Sequence, residues 1–289
     1  MTLSFQFGTV GSPLATPRNP GGSVGAIEFS KTLGLNTLEL GWVQSVRVTE
    51  VTCAAIKGKA VEHGFSLSVH APYFINLNGL DEEWPKSRKR LMDAAICGYA
   101  AGATDIIFHP GSYFGNDPRE VLKIAIPRLQ GCVDELRKAG NPVTLRPETM
   151  GKSAMLGSFE DTLEMSKAIA GVEPCLDFAH LHARPGDGSM NTYAEWCTLL
   201  QKYQKALGKK ALKRLHIHLS GIEYGPKGEK KHLPVAESDL KLNLLFKALK
   251  EFGCAGRILC ESPIMEADAL NMKKAWMKIS GEKELRNKK

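Results

Sequence analysis

Short apolar runs alternate with longer amphipathic stretches along the whole chain, and the runs end alike. Ile106-Ile107-Phe108 is apolar on both faces and too short for a helix, so it reads as a buried strand. It stops at His109 and turns through Pro110-Gly111. The design recurs five more times. SLSVH at 66–70 ends in His70, VTLRPE at 143–148 in Glu148, and PCLD at 174–177 in Asp177. RLHIH at 214–218 carries His216 and His218, and RILCE at 257–261 ends in Glu261. The segments between carry helical punctuation. A first strand at 3–7 leads through a Gly- and Pro-rich loop (8–22) to a helix at 23–33, and a strand at 37–40 precedes a helix at 48–63. Pro85 suits the first turn of the third helix. The helix at 119–138 is ended by Gly140-Asn141-Pro142, and Ser158 with Asp161 resembles a capping box. Further helices fit 192–207, 240–252 (capped by Ser238 or Asp239) and 267–279. Eight strand–helix units predict a single (β/α)8 TIM barrel over residues 1–280, followed by a basic tail at 281–289. In a parallel barrel the carboxyl ends of all strands lie on one face, where active sites are built, so these His, Asp and Glu residues should gather there.

Composition adds little to the fold but narrows the chemistry. A 43% hydrophobic content suffices for a barrel core, and a net charge of +7 suits a polyanionic partner. Seven scattered cysteines without a Cys-x-x-Cys pair read as reduced core residues. No apolar run approaches a membrane span and the N-terminus lacks signal-peptide features, so a cytoplasmic, monomeric protein is expected.

Imidazole nitrogens and carboxylate oxygens together suit zinc, with manganese or iron as alternatives. The candidate ligands are His70, His109, Glu148, Asp177, His180, His216, His232 and Glu261. Eight ligands exceed the needs of one ion, so two or three ions are expected. His182 and His218 either orient a ligand or touch substrate. Basic runs at 86–90 (KSRKR) and 227–231 (KGEKK) are candidate phosphate contacts, weighed against plain solvated surfaces.

In this order and spacing, SVHAPYFINL, FHPGS, PETMG, CLDFAH, LHIHLSG and CESP resemble endonuclease IV, the metal-dependent apurinic/apyrimidinic endonucleases, and PETMGK and SGIEYGPKGEKKH look like its archaeal branch. The resemblance implies a trinuclear zinc site that cleaves the phosphodiester 5′ to an abasic site in double-stranded DNA, with Glu148 and Glu261 as catalytic carboxylates. His70 and His109 would hold one ion, bridged by Glu148 to a second completed by Asp177, His216 and Glu261. His180 and His232 would hold the third. Tyr73 and Phe74 match the stretch that enters the duplex at the lesion, and an aromatic loop tip can wedge where a base is missing. Lys230 and Lys231 would contact DNA.

One triplet departs from the family. Its pattern before the last histidine is Asp-x-His, and here Lys230-Lys231-His232 stands in its place with Glu229 one residue out of register. Either Glu229 substitutes through a shifted loop or the third site lacks its carboxylate. Two other readings remain: a metal-dependent sugar isomerase or epimerase on the same barrel, and a DNA-binding relative with impaired catalysis.

Overall fold

All eight expected strands form, and they run parallel. The computed structural model describes residues 4–283. The barrel strands are β1 (Phe5–Val10), β2 (Thr37–Gly41), β3 (Ser66–His70), β4 (Ala103–Phe108), β5 (Thr144–Pro147), β6 (Cys175–Asp177) and β7 (Leu215–Leu219). A hairpin of β8 (Gly221–Gly225) and β9 (Gly228–Leu233) follows, then the last barrel strand, β10 (Gly256–Cys260). Hydrogen bonding runs β5-β4-β3-β2-β1-β10-β7-β6. Parallel bridges Leu145–Val172 and Glu148–Cys175 bring β5 and β6 together, so the sheet closes into a (β/α)8 barrel.

The helices are α1 (Gly22–Thr32), α2 (Glu50–His63), α3 (Trp84–Ala100), α4 (Pro118–Lys138), α5 (Phe159–Ala168), the short α6 (Phe178–Ala183), α7 (Tyr193–Leu207), α8 (Leu242–Glu251) and α9 (Glu266–Ser280). Local chemistry sets many of their ends. Gly64 takes the left-handed conformation that closes α2, and Ser158 with Asp161 forms a reciprocal capping box on α5. The start of α8 differs from expectation, because neither Ser238 nor Asp239 caps it. The Ser238 hydroxyl accepts the amides of Ile222 and Leu240, and the Asp239 carboxylate binds His182 and Tyr224, so tertiary partners outcompete the local cap. At the tail, Glu282 accepts hydrogen bonds from the Ser4 amide and hydroxyl, and residues 284–289 lie outside the described residues.

Period-two alternation divides each strand between two environments. Leu67, Val69, Ile106, Phe108 and Leu145 join helix residues such as Ile56, Leu91 and Leu129 in one apolar cluster; Leu176, Ile217 and Ile258 join Leu199, Phe246 and Trp276 in another. The alternate positions turn into the barrel, and among apolar fillers such as Ile107 and Leu259 they carry two polar tiers. The lower tier is an ion-pair network. Arg146 Nε donates to Asp105 at 2.5 Å, its Nη atoms bind Pro174 O, Arg214 O and Glu173, and Arg257 stands 3.2 Å from the other Asp105 oxygen. Burial pushes the Asp105 carboxyl up, but Arg146 and Arg257 outweigh it and hold the pKa far below the usual range. The upper tier lies further along the strands, with Glu148 two residues beyond Arg146, and His109 and Glu261 four beyond Asp105 and Arg257.

Candidate metal centre

Glu148, one residue past β5, is the hub. It is fully buried, and four imidazoles converge on its two oxygens. His70 Nε2 and His109 Nε2 lie 3.3 and 3.4 Å from Oε2, while His180 Nδ1 and His218 Nδ1 lie 3.2 and 3.5 Å from Oε1. Asp177, at the end of β6, caps α6 by accepting the His180 amide at 2.7 Å, which leaves its Oδ2 aimed at the centre. Glu261, just beyond β10, places Oε1 3.3 Å from His218 Nδ1. His70, His109 and Glu148 form one potential ligand group, and Glu148, Asp177, His218 and Glu261 form a second that shares Glu148.

A third group closes the mouth. His180 Nδ1 lies 2.9 Å from Thr149 O and His232 Nδ1 lies 3.2 Å from Glu261 O, so both protons are assigned to Nδ1. That leaves two bare Nε2 atoms facing each other at 3.2 Å. Glu229 Oε2 stands 3.5 Å from His180 Nε2. The hairpin explains how Glu229 arrives there. Ile222 pairs with His232 and Glu223 with Lys231, but Tyr224 pairs with Glu229, so Lys230 is the extra residue of a β-bulge. The bulge returns Glu229 to the face that carries His232. Gly151 packs beneath it, and a Cβ there would lie 2.7 Å from Glu229 Cβ. Lys230 and Lys231 are turned outward, and both pair with Glu223.

The charge balance fits cations. Glu148, Asp177, Glu261, Glu229 and the buried Glu39 beneath them have no Lys or Arg at ion-pair distance among the described residues. Both Glu148 oxygens, Asp177 Oδ2 and His218 Nδ1 are buried without a hydrogen-bond partner. Such atoms cost about 1–3 kcal/mol each when left unpaired, more when charged. Titration responds accordingly. Burial lifts Glu261 to about 7, with the Glu148 and Asp177 carboxylates adding to the rise against the opposing imidazoles. Burial pulls His218 and His180 down, yet Cys175 and then the Glu261, Glu39 and Glu148 carboxylates carry His218, and the Asp177, Glu148 and Glu229 carboxylates carry His180, well above the ordinary imidazole range. The donor set, mixed N and O with bare lone pairs converging, suits zinc or another transition metal.

Two expected roles move. His216 is not part of the groups that share Glu148; with Cys175 and His218 it forms a separate buried group. It lies two residues deeper on β7, its Nε2 donating to Glu39 Oε2 at 2.9 Å, and burial depresses it to about 4. His218 occupies the position expected of His216. Period two puts both on one face but does not say which reaches the rim. His182 stays out of the cavity: it contacts Ser189 O and Asp239, tying α6 to the following loops. Sequence reasoning also missed Glu39 and Phe114. Phe114 is 65% exposed with φ +52°, in a Ser-Tyr-Phe following His109 that echoes the Pro-Tyr-Phe following His70.

The cavity over the centre holds about 340 Å³ and is lined by Val10, Met150, Met265 and the rim ligands. Tyr73 forms one wall, stacked on His109 with ring centroids 5.1 Å apart, and its phenol is pushed up to about 12 by burial and then by the Glu261 and Glu148 carboxylates. Phe74 points outward, 60% exposed. No described helix is long and apolar enough to cross a membrane, and all seven cysteines are free.

Comparison with known proteins places this geometry. The chain is 35% identical to an uncharacterized protein of Methanocaldococcus jannaschii over 276 residues, 94% of this chain and 97% of that one. A probable endonuclease 4 of Shouchella clausii is 29% identical over 61% of this chain and 60% of its own length. Among solved structures, a D-tagatose 3-epimerase-like protein superposes with TM-score 0.70 at 19% identity, covering 90% of this chain and 96% of that one. Endonuclease IV from Thermus thermophilus superposes with TM-score 0.66 at 20% identity, covering 93% and 99%. Both likenesses are likenesses of fold. Residues 27–279 match one family across its barrel, and the chain belongs to the xylose isomerase-like TIM barrel family.

Proposed function

We propose that this protein is a metal-dependent endonuclease that hydrolyses the phosphodiester beside an abasic site in double-stranded DNA. The observation that carries the reading is a third ligand group, Asp177, His180 and His232, beside the two groups that share Glu148, with Glu229 Oε2 3.5 Å from His180 Nε2. A site serving one ion has no use for it. His70 and His109 would hold one ion with Glu148; Glu148, Asp177, His218 and Glu261 a second; His180, His232 and Glu229 a third. When bound, such ions supply Lewis acidity and countercharge for an in-line phosphoryl displacement. The chain supplies the rest. Glu148 joins two ligand groups through one carboxylate, and Tyr73 and Phe74 offer an aromatic edge to a gap in the base stack. Lys230 and Lys231, exposed on the outer face of the hairpin, would meet phosphates there.

A sugar epimerase is the second reading, favoured by a 340 Å³ cavity that accommodates a monosaccharide. One experiment separates them: nicking of an abasic-site duplex with and without chelator, beside a panel of ketose epimerisations and a metal count per chain. We expect chelator-sensitive nicking and three ions. Epimerisation without nicking overturns the reading. In the same count, Glu229→Gln should lose one ion and Lys230→Asp should lose none; the opposite pattern removes Glu229 from the third group.

A further inference from the structure

Glu39 is a fully buried carboxylate in the middle of β2, outside all three ligand groups. Its hydrogen-bond and ion-pair contacts come from two strands. Ser68 Oγ on β3 donates at 2.7 Å and His216 Nε2 on β7 at 2.9 Å, both to Oε2, and His218 Nε2 stands 3.0 Å from Oε1. The two imidazoles are its only partners at ion-pair distance among the described residues. A buried anion without a cation is costly to keep in a barrel core. The arrangement has one directional consequence. His218 Nε2 and Glu39 Oε1 face each other without another partner. A proton on Nε2 is therefore favoured by the carboxylate, and the lone pair falls to Nδ1, which faces Glu148 Oε1 and Glu261 Oε1 at 3.5 and 3.3 Å. His216 cannot take over this task, because its Nε2 is already committed to the other carboxylate oxygen.

We infer that Glu39 is a positioning residue for the metal centre: it fixes the tautomer and ring orientation of His218 and adds a negative charge beneath the ion that His218 would hold. Partners of this kind tune affinity by about 10–100-fold. Ser68 and His216 complete the device by holding the carboxylate in place. The inference rests on the metal-centre part of the proposed function and deepens it with a residue that touches neither metal nor substrate.

The test is zinc binding by chelator competition on the full chain, comparing wild type with Glu39→Gln and Glu39→Asp, together with melting of the metal-free proteins. Expected is a 10–100-fold loss of affinity for one ion in Glu39→Gln, with the remaining ions unaffected and metal-free melting unchanged or raised. Glu39→Asp, which keeps the charge, should recover part of the affinity. A second readout needs no metal. Nitrogen–proton correlation spectra of the metal-free wild type, recorded above the pH at which His218 loses its charge, should show the neutral ring protonated at Nε2 and bare at Nδ1, even if a variant fails to fold. Equal zinc affinity in wild type and Glu39→Gln overturns the inference while leaving the metal centre standing. Parallel loss of all ions with a lowered metal-free melting point also overturns it, as does a neutral His218 ring protonated at Nδ1. A wild type that binds no zinc sinks the metal centre itself.

Discussion

The barrel lumen carries two charged tiers built from the same strands, and they are organised oppositely. β5 sends Arg146 to the lower tier, and Glu148 follows two residues later in the upper one; β4 sends Asp105 to the lower, and His109 follows in the upper. Below, every strong charge meets its opposite: Arg146 and Arg257 with Asp105, and Arg146 and Arg214 with Glu173. Above, carboxylates accumulate against imidazoles and leave buried oxygens unpartnered. Burial is equal in the two tiers; closure of the charge account differs. A closed network is structural, whereas an open one with converging lone pairs is built to receive something positive.

The sharpest way to break this contrast is Glu148→Gln. An amide cannot neutralise two cations, so at least one ion should be lost and nicking should fall on the order of 1,000-fold. Near-normal nicking by this variant would mean the upper tier is not the catalytic centre.

Arg146→Met asks the mirror question. It takes one of two guanidinium partners from both Asp105 and Glu173, leaving Arg257 and Arg214, so stability should fall by up to about 3–5 kcal/mol, the loss usual when one partner of a buried pair is deleted. Metal stoichiometry at saturating zinc should stay at the wild-type value. A variant that melts normally but loses ions would show that the two tiers are one functional unit.

A smaller effect, on the order of 2 kcal/mol, should appear in the pH dependence of the metal-free protein. Glu261, at about 7, and His180 and His218 have folded pKa values above their unfolded ones. Their contribution is therefore full below their unfolded values; that of Glu261 is lost as pH rises through about 7, and that of the two imidazoles as pH rises through their raised folded values. Asp105 has the opposite sign, with stability present above about 4 and lost as pH falls toward its depressed folded value. Metal-free stability should therefore peak near pH 5 and decline toward 8, and zinc should reverse the upper slope because bound ligands must be deprotonated. A flat urea-melt profile from pH 5 to 8 would contradict the assignment of the upper tier as an uncompensated cluster.

The strands were legible because each is a short apolar run stopped by one polar residue and a turn, a signal written in neighbouring positions. The rim positions of His70, His109, Glu148, Asp177 and Glu261 were legible for the same reason. Depth was not. His216 and His218 share a face, and only Glu39, reaching them across the lumen from β2, decides that the lower one is held away from the rim. Glu39 itself reads as a stray charge in TLELG, since its partners lie 29 and 177 residues away. The hairpin escaped because GIEYGPKGEKKHL mixes glycine, proline and charge, and the bulge at Lys230 erases the alternation that would have marked β9.

That bulge has a consequence for recognising kinship. Two proteins can present a carboxylate and an imidazole to the same point in space while their alignment columns disagree by one. A pattern search for Asp-x-His passes over Glu229-Lys230-Lys231-His232, although one extra backbone residue restores the facing that the tighter spacing provides. Diverged members of such a family are better sought by a spacer of variable length, with the inserted residue free to be anything that tolerates solvent.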